Sequence, residues 1–234
     1  MSENVPYYRK SIFSNAATNL TITARQSMVD LFFNVCRLDE SHTVLDLGVT
    51  SERDPSANYL EKNFPFPHRL TCAGMQDAGW LADSYPGIKF VLLEPGKPLP
   101  FKDQEFDFVY SNAVVEHVGS KEDQVAFIGE LLRVSKNFFL TTPNRWFPVE
   151  MHTHIPLLHL FPQKIFRYFL KLKGEKFYAQ EKNLNLLTRR DVKRIFPVTV
   201  KVNSRYIYTL GFPSNIVVYG ESTPLATNGG MKLP

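Results

Sequence analysis

The stretch Thr43-Val-Leu-Asp-Leu-Gly48 reads as a short buried strand that ends on glycine. Glycine has no Cβ, so the backbone there can turn sharply at positive φ or lie close against a ligand. Asp46 suits two roles, ordering the turn into the next helix or facing the cationic end of a ligand, and the stretch alone does not choose between them. A dinucleotide site is disfavoured, because G-x-G-x-x-G needs two further glycines and the chain continues Gly48-Val-Thr-Ser-Glu-Arg53.

Outward from this strand the two periodicities alternate. Upstream, Ala24, Met28, Leu31, Phe32 and Val35 recur at helical spacing and predict an amphipathic helix over 20–37. Downstream, short apolar runs predict strands at 70–73, 88–93, 106–111 and 138–142. Ser120-Lys-Glu-Asp123 resembles a capping box, and Thr188-Arg-Arg-Asp191 opens a further helix that Pro197 ends. Two strands, 198–207 and 216–220, close the pattern. Strands alternating with helices predict an α/β fold with a mainly parallel twisted sheet. Ligands in such sheets bind beyond the carboxyl ends of the strands.

The 234 residues fit one domain, expected over 1–222 with a helical insertion at about 146–187 and a flexible tail at 223–234. The chain is 44% hydrophobic and 21% charged, with ample apolar material for one core. Its net charge of +4 is too small to demand a nucleic-acid or lipid partner. The beginning of the chain lacks the apolar region of a secretory signal, and no apolar run approaches the roughly 18 residues of a membrane span, so a cytoplasmic protein is expected. Cys36 and Cys72 each sit in an apolar run and read as reduced core residues.

About fifty residues after the glycine come Leu99-Pro-Phe101, Glu105-Phe-Asp-Phe-Val109 and Ser111-Asn-Ala-Val-Val-Glu-His117. This order resembles the class I S-adenosylmethionine-dependent methyltransferases over roughly 39–142, and the two terminal strands resemble that family's closing antiparallel hairpin. Thr141-Thr-Pro-Asn-Arg-Trp-Phe-Pro148 resembles a narrower bacterial branch, many of whose members look tied to glycan or lipid biosynthesis. The resemblance implies a Rossmann-like methyltransferase fold with S-adenosylmethionine as cofactor. It implies that Gly48, Val49 and Thr50 carry the methionine portion, beside Asp46. The family's ribose-binding acid falls at Gly74, followed by Met75 and Asp77, and its adenine-side acid falls at Pro95, flanked by Glu94 and Gly96. Asp77 and Glu94 are therefore the candidates to replace the two missing carboxylates. Ser111, Asn112, Ala113 and Glu116, after the fourth strand, complete the expected cofactor set.

Methyl transfer asks mainly for alignment, and a hydroxyl acceptor also needs a base to remove its proton. His117, Arg145 and His154 are the catalytic candidates, with packing and helix capping as their ordinary alternative. His152, His154 and His159 lack a matching cysteine or acid cluster, so no metal is expected. The acceptor is expected to be a small molecule, a glycan or a lipid-linked intermediate, with peripheral membrane contact left open. The other readings are a catalytically weakened binding module on the same fold and a nucleic-acid methyltransferase. The last lacks the Asn/Asp-Pro-Pro-aromatic motif after its fourth strand.

Overall fold

The computed structural model describes residues 14–153 and 155–222, with side chains from residue 18 onward. Helix α1 (Ser14–Cys36) leads into β1 (Val44–Leu47). Two short helices, α2 (Tyr59–Asn63) and α3 (Trp80–Ser84), separate β1 from β2 (Leu70–Gly74) and β2 from β3 (Lys89–Leu92). Prolines 55, 65, 67 and 86 and Gly79 bound these helices and keep each to five residues. β4 (Phe106–Asn112), α4 (Lys121–Val134) and β5 (Ser135–Pro143) follow, then α5 (Gln163–Leu172), α6 (Arg189–Arg194), β6 (Asn203–Thr209) and β7 (Phe212–Glu221).

The seven strands lie in the order β3-β2-β1-β4-β5-β7-β6, and β7 alone runs antiparallel to its neighbours. Alternation along the strands sends side chains to two cores. Leu45, Leu47, Val109 and Leu140 meet Ile128, Leu131 and Leu132 of α4 and Val192 of α6. Val44, Cys72, Phe108, Tyr110 and Phe139 meet α1, where Phe32 packs 5.1 Å from both Tyr110 and Phe139, centroid to centroid. A third cluster, Phe166, Leu170, Tyr178, Leu184 and Leu186, lies wholly between β5 and α6.

Both expected capping boxes are present: Ser120 with Asp123 opens α4, and Thr188 with Asp191 opens α6. Some boundaries moved. β5 starts at Ser135, three residues before the expected 138, because Ser135 and Asn137 pair with Phe106 and Phe108 of β4. β6 starts at Asn203, not 198, because the backbone turns at Val200, whose N–H bonds the Pro197 carbonyl, and leaves Val198 fully exposed. The segment expected as a helical insertion is mostly turns around α5 and a 3₁₀ turn at Leu158–Leu160. Cys72 is buried and Cys36 half-buried, both as free thiols. The tail expected at 223–234 lies outside the described residues.

Candidate active site

The strand order reverses between β1 and β4, the kind of switch point at which open α/β sheets bind ligands, and Gly48 follows β1 there. Gly48 takes φ +109°, a conformation that side chains rarely adopt, and its N–H donates to the Ala73 carbonyl at 2.8 Å. The Val49 N–H reaches the same carbonyl at 3.2 Å. A Cβ on Gly74 would lie 2.4 Å from the Val49 carbonyl oxygen, so this second glycine lets the loop after β1 lie flat across the end of β2. Beyond it the loop is tied down on both sides. Asn58 accepts from the Thr50 N–H at 3.0 Å and donates to the Thr50 carbonyl at 2.8 Å. The Gln76 side-chain oxygen accepts from the hydroxyls of Thr50 and Ser51 at 3.2 and 3.1 Å. Trp80 donates to the Ser51 carbonyl at 3.2 Å, and Arg53 stacks over its ring.

Asp46 does not reach this edge. Its side chain lies on the α1 face of the sheet, buried beside Glu61 of α2, Arg25 of α1 and Tyr110. Burial, then the neighbouring Glu61, push the Asp46 carboxyl well above its ordinary range; burial raises Glu61 as well, and the two carboxyls share a hydrogen bond. Glu61 also accepts the Cys72 thiol at 3.5 Å. Sequence reasoning missed Glu61, which stands in an ordinary surface-like run.

The two substitute acids are both at the surface. Asp77 is exposed, and its carboxylate accepts the Gly79 N–H at 2.9 Å. Glu94 is exposed and pairs with Lys97 at 2.5 Å. Pro95 and Gly96 are exposed beside it, and a Cβ on Gly96 would meet nothing within 4 Å. Met75 and Leu92, 59% and 55% exposed, place two bare apolar side chains at the carboxyl ends of β2 and β3. Gln76 was missed too; its signal was a polar side chain two residues beyond the expected acid position. At the end of β4, the Ser111 hydroxyl donates to the Leu47 carbonyl at 2.9 Å, and Asn112 accepts from Thr141 at 2.5 Å. Ala113 takes the left-handed φ of 56°.

Further along this edge, Glu116 and His117 meet the segment after β5. Glu116 is fully buried, its Oε2 accepting from the Thr142 hydroxyl at 2.8 Å, and burial pushes its carboxyl up to about 7. The His117 and His152 rings meet edge to face, 4.6 Å apart. Glu150 accepts from the His152 ring at 2.6 Å and from the Thr153 N–H and hydroxyl. Burial opposes its charge, yet the His152 imidazole and these bonds hold the Glu150 carboxyl down at about 2. Arg145 reaches away from this group and donates to the carbonyls of His159 and Phe161 at 3.4 and 3.0 Å. His159 in turn bonds the Phe147 carbonyl at 2.7 Å. A small cavity of about 10 Å³, lined by Asn144, Phe147, Glu150 and His159 among others, lies between these segments. His154 lies outside the described residues. Of the basic run opening α6, Arg189 is committed to the fold through Ser204 and the Tyr206 ring.

Residues 71–137 match a family described as a methyltransferase domain. Solved structures resemble the whole chain at low identity. Magnesium protoporphyrin IX methyltransferase from Synechocystis PCC 6803, solved with bound SAH, aligns with TM-score 0.55 and 14% identity over 92% of this chain and 90% of its own. A SAM-dependent methyltransferase from Aquifex aeolicus aligns with TM-score 0.52 and 15% identity over 90% of this chain and 100% of its own. The PH0226 protein of Pyrococcus horikoshii OT3 gives TM-score 0.57 and 15% identity over 93% and 96%. No curated protein matches the chain in sequence. The chain thus has the Rossmann-like fold of the class I methyltransferases, and its central segment matches a methyltransferase domain.

Proposed function

We propose that the chain is an S-adenosylmethionine-dependent methyltransferase whose acceptor is a lipid-linked intermediate met at a membrane surface. The observation that carries the first half is the reversal of strand order between β1 and β4, next to a segment, 71–137, that matches a methyltransferase domain. The residues there fit the adenosyl end of the cofactor. Exposed Met75 and Leu92 offer apolar surface to an adenine ring, and Gln76, beside the Thr50 and Ser51 hydroxyls, offers a neutral hydrogen-bonding group to the ribose. Bound there, the cofactor supplies a methyl group on an electrophilic sulfonium, which leaves the chain to align the acceptor and accept its proton.

The second half rests on α5. Phe166 and Leu170 bury one of its faces, yet Phe161, Ile165, Tyr168, Phe169 and Leu172 form a second apolar row with exposures from 41% to 65%. From Ile165 onward their spacing of three, one and three residues puts them on one side of the helix, and Phe161 lies just before its start. Exposed Lys164, Lys171 and Lys173 stand close by in sequence. An exposed apolar row with lysines alongside is the pattern of a helix lying in the headgroup layer of an anionic bilayer. No described helix is long and apolar enough to cross a membrane. Arg145 ties the start of this helix to the residues after β5, so a membrane-seated α5 would hold the acceptor edge near the lipid.

Two measurements test the two halves separately. Calorimetry should show saturable, one-to-one binding of S-adenosylhomocysteine, and its absence at millimolar ligand would refute the methyltransferase reading in favour of a non-catalytic module. Cosedimentation with vesicles containing anionic lipid should show binding that Phe169→Glu plus Leu172→Glu weakens at least about tenfold with unchanged circular dichroism. Vesicle binding that ignores these substitutions, or none by the parent protein, would remove the lipid-linked acceptor.

A further inference from the structure

We infer that Glu116, His117 and His152 form a binding site for a divalent transition-metal ion of the zinc type. One ligand atom from each lies within 4.8 Å of the other two, and Glu116 Oε1 is 3.9 Å from His117 Nε2. A tetrahedral ion with bonds of about 2.0–2.1 Å sets its ligands about 3.4 Å apart, so the three need to close by about 0.5–1.5 Å.

The tautomers point the same way. His117 Nδ1 lies 2.8 Å from the Asn183 carbonyl oxygen. A carbonyl only accepts, so Nδ1 carries the proton and the neutral ring has its lone pair on Nε2. His152 Nδ1 lies 2.6 Å from Glu150 Oε1, and that carboxylate likewise fixes the proton on Nδ1. Metal-bound histidines characteristically give their second N–H to a carbonyl or a carboxylate, and here one of each is in place. Glu116 supplies an independent observation. Its Oε2 is held by Thr142, while its Oε1, fully buried, has no hydrogen-bond partner. A buried carboxylate oxygen without a partner is costly, and a bound cation would satisfy it.

The donor set selects the ion. Two imidazoles and one carboxylate suit zinc and its first-row neighbours, whereas magnesium and calcium take oxygen. Three protein ligands leave a fourth position for water or another ligand. Charge balances as well, since Glu116 and Glu150 together offset two positive charges. Glu116 and His117 belong to the turn after β4, and His152 and Asn183 to the segment between β5 and α6, so one ion would fasten that segment to the sheet edge. The inference does not depend on methyl transfer.

The test begins with protein stripped by chelator and titrated with Zn²⁺, with Co²⁺ as a spectroscopic probe. One equivalent should bind, with a tetrahedral cobalt spectrum lacking a thiolate charge-transfer band, and melting temperature should rise. His152→Ala and Glu116→Gln should each lose about a hundredfold or more in affinity, and Glu150→Gln, which keeps all three ligands but replaces the carboxylate behind His152, about ten- to a hundredfold. Should His152→Ala fail to fold, Glu150→Gln and the metal dependence of the parent protein's melting still decide. No saturable uptake by the parent protein, uptake that survives these substitutions, or a cobalt–thiolate band assigning the ion to Cys36 or Cys72 would overturn the site.

Discussion

Replacing Gly48 with alanine tests whether the loop above β1 is as tightly specified as its geometry indicates. The new Cβ would lie 2.2 Å from Val114 Cγ2, 3.1 Å from its Cγ1 and 3.2 Å from its Cβ. One rotamer of Val114 would put its Cβ hydrogen where Cγ2 now stands, but the Cβ itself stays at 3.2 Å, so the contact remains tight and the rotamer change has its own cost. The alanine must also hold φ near +109°, which costs about 1–3 kcal/mol. Overpacking against a branched side chain adds about 1–3 kcal/mol. Gly48→Ala is therefore expected to lose about 2–6 kcal/mol in urea unfolding. Adding Val114→Ala removes the two methyl contacts and should return about 1–2 kcal/mol of that loss, leaving the backbone term. S-adenosylhomocysteine affinity should fall in Gly48→Ala and recover only in part in the double variant. A single variant within about 0.5 kcal/mol of the parent, or a second substitution that deepens the loss, would refute the reasoning.

Asp46→Asn should be at least as stable as the parent at pH 8. The folded Asp46 keeps its proton above the ordinary range while the unfolded chain releases it, so the parent loses stability as pH rises through that window. The advantage should vanish below about pH 4, where both states are protonated, and an asparagine variant less stable at pH 8 than at pH 4, relative to the parent, would contradict it. Asp107 has the opposite sign. Burial alone would raise its carboxyl, but the bonds from Lys136 and from the Thr43 N–H and hydroxyl outweigh this and lower it. Its contribution is present above the unfolded value and lost as pH falls through the folded one, so Asp107→Asn should cost about 1–2 kcal/mol at pH 7 and less as pH falls toward 3. An equal loss at both pH values would assign the effect to packing.

The sheet was legible because each buried strand carries its own signal. The runs around Leu45, Cys72, Val109 and Leu140 are apolar on both faces, as strands covered by helices must be. The helix starts at Ser120 and Thr188 were legible because a capping box is local in sequence. What escaped depends on partners far along the chain. The polar opening of β5 is strand only because β4 lies beside it. Glu61 looks solvent-facing until α2 folds it over Asp46. Glu116-His117 was visible as a pair and His152 as one of three nearby histidines, but no spacing rule joins them, since the intervening α4 and β5 decide that they meet. Short helices α2 and α3 left too few turns for a periodicity to register.

The place of β7 has a kinetic consequence. Among the described residues it is the last strand, yet it lies between β5 and β6, and β6 pairs with no other described strand. On the ribosome the first five strands can zip in the order 3-2-1-4-5, but β6 then emerges with no edge to join. The flank of β5, including Phe139, Leu140 and Thr141, stays bare until residues 212–221 have been translated. A bare flank of this kind is a template for pairing with another nascent chain. The interval of greatest aggregation hazard therefore lasts until β7 has emerged, and it closes in a single step when β7 slides between two strands already waiting for it.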